Sequence, residues 1–263
     1  MKPILLNVLI VSTLFMTGCA RYYYKPNTVN VPQFTDKGQV HLNVAGGNQS
    51  LFDNDEYLTF FDVQAAGSPV KHLGIMANYS TQTYHTNFPD FATGNVPARG
   101  YIAEAGIGAY SATGQRKSKL TTEIYVGYGV GHIVSDVNMK FSRVFVQPAI
   151  GVHSPWFDAS FSPRLCYLSF SDFQTNGHDS TYLGANGLYN YQFGHSIADQ
   201  SYMFIEPCIT LRGGYKFIKI QLQGVVSLQT TNLPWSYHPS RFTAGLYFSL
   251  EEIINMGGRR DRY

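Results

Sequence analysis

The most constraining feature of this chain is a period of two in hydropathy, which recurs in about ten segments between residues 39 and 254. Successive side chains of an extended chain point to opposite sides, so such a pattern marks a strand with one apolar and one polar face. In 119–132, Leu120, Thr122, Ile124, Val126, Tyr128 and Val130 share one face. Lys119, Thr121, Glu123, Tyr125, Gly127, Gly129 and Gly131 share the other. In 217–229, Ile218, Ile220, Leu222, Val226 and Leu228 oppose Lys219, Gln221, Gln223, Ser227 and Gln229. In 203–212, Met203, Ile205, Ile209 and Leu211 oppose Glu206, Cys208, Thr210 and Arg212. Looser versions occupy 39–45, 57–66, 72–83, 100–113, 139–154, 156–173 and 241–254. The 19 Tyr and 18 Phe favour strands, and no helical period competes with the alternation.

The connections add a second signal. Long links at 82–99, 174–200 and 230–240 alternate with short ones near 67–69, 153–155 and 213–215. Each segment suits a tilted strand crossing a bilayer, which takes about 9–11 residues. In strand length and loop asymmetry, 39–254 resembles bacterial outer-membrane β-barrels of the porin-like superfamily. The resemblance implies an all-β, antiparallel, up-and-down transmembrane β-barrel of about ten strands, with short periplasmic turns and long outer loops. Both termini then fall on the periplasmic side, and 255–263 forms a polar C-terminal tail. The alternative is a lipid-tethered soluble periplasmic β-barrel, whose apolar faces would point inward and leave Glu123 and Gln221 in water.

The amino-terminal segment points to export. Lys2 precedes an apolar run at 4–15 that is too short to span a bilayer as a helix. It ends in Met16-Thr17-Gly18-Cys19, which resembles the lipobox of bacterial lipoproteins. That resemblance implies a signal peptide at 1–18, cleavage before Cys19 and palmitate-type acylation of Cys19. No acidic residue closely follows Cys19, so the expected anchor lies in the inner leaflet of the outer membrane, facing the periplasm. Residues 19–38, with Tyr22-Tyr23-Tyr24, Pro26, Asn27, Asn30 and Pro32, read as an extended linker to the first strand.

Chemistry is sparse. The net charge is +2 and no basic stripe appears, which argues against nucleic acid. Partners are expected to be outer-membrane lipid and, at the outer loops, a protein or glycan. No metal spacing or cofactor motif is present. If the apolar faces meet lipid, Asp62, Glu104, Glu123, Arg143, Arg164 and Glu206 line the lumen at middle heights, with Arg212 and Lys219 lower. Such charges should pair with one another and plug a small barrel; the sharper alternative is a selectivity ring in a narrow pore for small solutes. Cys166 and Cys208 face the lumen on neighbouring strands, where a disulfide is possible. No G-x-S-x-G or H-E-x-x-H occurs. A membrane-embedded hydrolase would have to draw on His178, Asp179, Ser180, His195, Ser196 and Asp199 in the longest loop. Trp156 and Tyr215 adjoin short turns, as interfacial aromatics do. Trp235 and Tyr237 fall in an outer loop, where they could meet a sugar or protein. The leading expectation is a non-enzymatic barrel, structural or ligand-binding through its outer loops, with a plugged polar lumen.

Overall fold

The computed structural model describes residues 22–50, 56–86, 98–115, 118–190, 192, 194–230 and 233–252. The expectations for the signal peptide at 1–18, Cys19 and the tail at 255–263 lie outside the described residues. Ten strands form the wall: β1 (Val40–Ser50), β2 (Glu56–Val70), β3 (Leu73–Thr86), β4 (Ala98–Gln115), β5 (Ser118–Val134), β6 (Asn138–His153), β7 (Phe157–Gln174), β10 (Ser201–Tyr215), β11 (Ile218–Val226) and β13 (Ser240–Ser249). The intervening labels belong to β8 (Tyr189–Asn190) and β9 (His195–Ser196), a ribbon in the longest link, and to β12 (Leu228–Gln229), which pairs with β10 beyond β11. Neighbours are antiparallel in chain order, and β13 pairs with β1, placing Ser249 opposite His41. The sheet thus closes into a barrel, so its ten wall strands have neighbours on both sides.

The alternation read from the sequence sets the sides. On β5, Thr121, Glu123 and Tyr125 are buried while Thr122, Ile124 and Val126 are exposed. On β11, Ile220 and Leu222 are 60% and 54% exposed, whereas Lys219 and Gln221 are each 1% exposed. The exposed outer face carries Val63, Ile75, Ile107, Val144, Phe161, Leu165, Ile209 and Phe242 from successive strands around the wall. On these outer faces the side chains are therefore apolar, while the buried charges point in together with aromatic and aliphatic side chains such as Phe145, Leu168 and Phe204. The soluble-barrel alternative required the opposite arrangement.

The strand ends define two rims. Lys71–His72, Ser154–Trp156 and Lys216–Phe217 connect strands at the short-turn rim, where Gln115 of β4 and Ser118 of β5 also pair. The turns predicted near 67–69 and 213–215 are instead strand, so those hairpins close two or three residues later. The opposite rim carries the longer links, with one departure: β5 and β6 are joined there by Ser135–Val137 alone. The link at 175–200 is structured. It holds α1 (Ser180–Ala185) and a 3-10 turn (Ile197–Asp199), which bury Leu183, Leu188 and Ile197 against Trp235 and the wall aromatics Phe170, Tyr202 and Phe204. Trp235 is only 3% exposed, so it anchors this rim from within and is not free to meet an outer partner.

The chief departure concerns residues 22–37. From the sequence they read as an extended linker to the first strand. They run instead as an extended strap down its lumen, with 23–34 all buried. Tyr22 sits at the long-loop rim, its ring edge-on to Tyr84 and His238. Phe34 reaches the other rim, stacked on His41. The chain then turns at Asp36–Gly38 into β1, whose mouth Glu251 ties by accepting from Val40 N at 3.1 Å.

Candidate functional site: the occupied lumen

An extended strap has no hydrogen bonds of its own, and buried backbone groups must find partners. The wall supplies them with amides and guanidinium groups on its inward face. Gln223 meets the backbone of Val29 from both sides, accepting from its N at 2.7 Å and donating to its O at 2.8 Å. Gln64 donates to Thr28 O at 2.9 Å and Gln147 to Asn30 O at 2.6 Å. Arg212 donates to Val31 O at 2.6 Å, and Glu123 accepts from Phe34 N at 2.8 Å. Pro26 and Pro32 bring no N–H needing a partner, and their carbonyls accept from Arg241 and Tyr247.

At mid-height four charges form the core of the site. Arg143 of β6 pairs with Glu104 of β4, and Arg164 of β7 pairs with Glu206 of β10 at 2.6 Å. Cross-pairs at 3.8 Å (Arg143–Glu206) and 3.6 Å (Arg164–Glu104) close the quartet, and all four side chains are fully buried. Arg143 and Glu104 meet across β5. Gly129 lies between them, and a Cβ there would come within 2.8 Å of the Glu104 side chain. Gly127, two residues back, gives the same room to the Phe145 ring.

Asn27 of the strap occupies the centre of this quartet. Its Oδ1 accepts from Arg143 at 2.6 Å and Arg164 at 2.7 Å, and its Nδ2 donates to Glu104 at 2.5 Å. A neutral amide thus matches both signs, leaving two cations balanced by two anions. Three residues before Asn27, Tyr24 donates to Glu206 at 2.5 Å and stacks on Phe204. At the long-loop rim, the Tyr23 and Tyr182 hydroxyls both donate to Asp136 Oδ2 at 2.8 Å, joining strap, β5–β6 link and α1.

All eight predicted lumen residues are buried inside the wall, but they do not all pair with one another. Asp62 pairs with Arg241 at 2.7 Å and accepts from Thr28 at 2.6 Å. Lys219 pairs with Asp158 at 2.8 Å, and Arg212 lies 4.0 Å from the same carboxylate while its guanidinium covers the Tyr247 ring. Glu123 is bound by strap backbone. Sequence reasoning missed Arg241 and Asp158, which follow the inward phase of β13 and β7. It also missed Gln64, Gln147 and Asn27, which carried no charge to mark them.

The possible disulfide is not formed. Cys166 and Cys208 are both buried and free. They point into the lumen from paired strands, but register separates them: Cys166 lies opposite Phe204, and Cys208 lies opposite Ser162. Four residues of stagger exceed the separation a disulfide tolerates, about 4.4–6.8 Å between Cα atoms.

Three of the six loop residues considered for hydrolysis cap local structure. Asp179 caps α1 by accepting from Tyr182 N at 2.9 Å. Ser196 and Asp199 form a reciprocal capping box around the 3-10 turn. His178 stacks on Tyr182, while His195 sits on the separate β8–β9 ribbon. Trp156 and Tyr215 do adjoin the short turns and pack edge to face at 5.0 Å, both exposed. No protein-family model matches the chain, and no curated protein matches it significantly.

Proposed function

We propose that this chain is an outer-membrane β-barrel lipoprotein that plugs itself with its own amino-terminal segment and works through its outer loops. The observation that carries the reading is the strap. Residues 22–37 fill the lumen, and their backbone and Asn27 take up its charged groups. A selectivity ring needs its charges free to meet a passing solute. Here Arg143, Arg164, Glu104 and Glu206 are engaged by each other and by the strap, which favours the plugged barrel over the narrow pore. The membrane location is supported by the outward apolar belt, which in water would be an exposed patch far larger than a soluble monomer tolerates. Trp156, Phe157 and Tyr215 at the short-turn rim fit an interfacial belt.

The outer partner would meet the long-loop rim. A cleft between α1, β8 and Pro234 is lined by Ser180, Thr181, Tyr189 and Asn190, with no charged side chain among its lining residues. That lining suits a neutral, hydroxyl-rich ligand such as a glycan. The deciding experiment is conductance of the purified full chain in planar bilayers. A plugged barrel gives no steady current at moderate voltage. A stable single-channel conductance would replace this reading with the pore.

A further inference from the structure

We infer that the acyl chains on Cys19 anchor in the outer leaflet, at the long-loop end of the barrel, and not in the periplasm-facing leaflet. The inference rests on the proposed membrane barrel and on lipidation at Cys19, and it reverses what the residues after Cys19 imply when read alone. Its basis is the direction of the strap. Tyr22 packs on Tyr84 near the far end of β3, and Tyr23 N donates to Ser236 O in the last long link at 3.0 Å. From there the chain descends past Asn27 at mid-height to Phe34 and Gln33, the latter beside Val152 and Ala159 at the short-turn rim.

Two lengths settle which rim Cys19 can reach. Tyr22 is three residue steps from Cys19, and a fully extended chain covers at most ~3.6 Å per step, so Cys19 stays within about 11 Å of Tyr22. A strand of β6's 16 residues, at about 3.3 Å per residue and tilted near 40°, makes the wall roughly 40 Å tall. Cys19 therefore cannot return to the short-turn rim outside the barrel. The lumen itself is filled, so a lipidated end cannot be drawn through it after closure. The wall must close around the strap during assembly, with the lipid already on the long-loop side. The described chain thus has its two ends at opposite rims, since Ser249 lies at the short-turn end.

The test maps both rims in one set of single-cysteine chains built on Cys166→Ser and Cys208→Ser, with Cys19 retained and palmitate incorporation followed throughout. Arg21→Cys reports the amino-terminal end, Thr181→Cys the long loop and Lys216→Cys a short turn. A membrane-impermeant maleimide on intact cells is expected to label Arg21→Cys and Thr181→Cys, and to label Lys216→Cys only after permeabilisation. A protease site inserted between Arg21 and Tyr22 gives a reading independent of thiol access. Cutting on intact cells should separate the palmitate from the barrel. If Thr181→Cys labels on intact cells while the amino-terminal positions are neither labelled nor cut there, the lipid faces the periplasm. The inference then falls, and the barrel reading stands. If Thr181→Cys stays dark, or Lys216→Cys labels on intact cells, the barrel's own orientation fails and the inference goes with it. Palmitate that is absent, or that persists in Cys19→Ser, removes the anchor from Cys19 and overturns the inference by itself.

Discussion

Gln223 and Val29 form a two-way hydrogen-bonded pair in which one wall side chain satisfies both backbone groups of one strap residue, at 2.7 and 2.8 Å. The amide does for the strap what a neighbouring strand does for a sheet. Gln223→Leu would leave both groups of Val29 buried and unpaired, at about 1–3 kcal/mol each. The expected result is a folded barrel with a lowered urea midpoint and newly protease-sensitive residues 22–37. An unchanged midpoint would show that Gln223 does not hold the strap.

Asn27 bonds three of the four central charges, so its loss should be costlier than that of a typical surface polar residue. Asn27→Leu removes two acceptor contacts and one donor contact from charged partners and should destabilise by about 3–5 kcal/mol, in the range for breaking buried charged networks. Thermal unfolding in detergent micelles measures it. Asn27→Gln, which keeps the amide, should recover only part of the loss, because the added methylene shifts the group off the guanidinium pair.

The occupied lumen can be captured chemically. Asn30 Nδ2 lies 2.9 Å from Asn78 Oδ1 on β3. With Asn30→Cys and Asn78→Cys in a chain whose Cys166 and Cys208 are serine, a short bifunctional thiol reagent should join strap to wall in folded protein. The product should migrate as a looped chain after denaturation, and it should form in higher yield from folded protein than from unfolded chain, where the two thiols meet only through random loop closure.

Acid should loosen the mouth of the strap. His238 lies outside the wall strands, with its backbone N donating to Tyr24 O at 2.8 Å and its ring against Tyr22. Burial, and next the nearby Lys25 charge, holds its imidazolium pKa down to about 3, from an ordinary value near 6.5. A depressed folded-state value means no penalty above pH 6.5, where the ring is neutral in both states. Stability then falls as pH drops from 6.5 toward 3, because the open state binds the proton and the closed one resists it. Relative to a free thiol at the same pH, Tyr22→Cys should therefore react faster at pH 5 than at pH 7.5. His238→Asn should flatten that difference.

On the outer face, Leu222→Arg should cost roughly 2–4 kcal/mol if the position faces lipid near the midplane. Gln221→Arg is not the mild control that alternation alone suggests, since Gln221 is buried and accepts from Arg212 at 2.7 Å. Location in lipid is better read from bromolipid or nitroxide quenching of a fluorophore on Ile220→Cys. Quenching is expected, and its absence in folded protein would overturn the lipid-facing assignment of the outer face.

The sequence by itself determined the wall. Side-chain direction in a strand is a local property, so alternation in β11 was enough to sort Ile220 from Lys219, and the same period on β4, β6, β7 and β10 put Glu104, Arg143, Arg164 and Glu206 inside. Ion-pair partners were another matter. Arg241 with Asp62 and Lys219 with Asp158 depend on register and on which side chains reach across the lumen, neither of which one strand carries. The strap was hidden for a deeper reason. An extended segment rich in proline, asparagine and tyrosine makes no hydrogen bonds within itself, so its composition is the same whether water or a barrel wall supplies the partners. Only closure of the wall, with Gln64, Gln147, Gln223 and Arg212 aimed inward at matching heights, decides that residues 22–37 belong inside. Their path puts Tyr22 at one rim and Ser249 at the other.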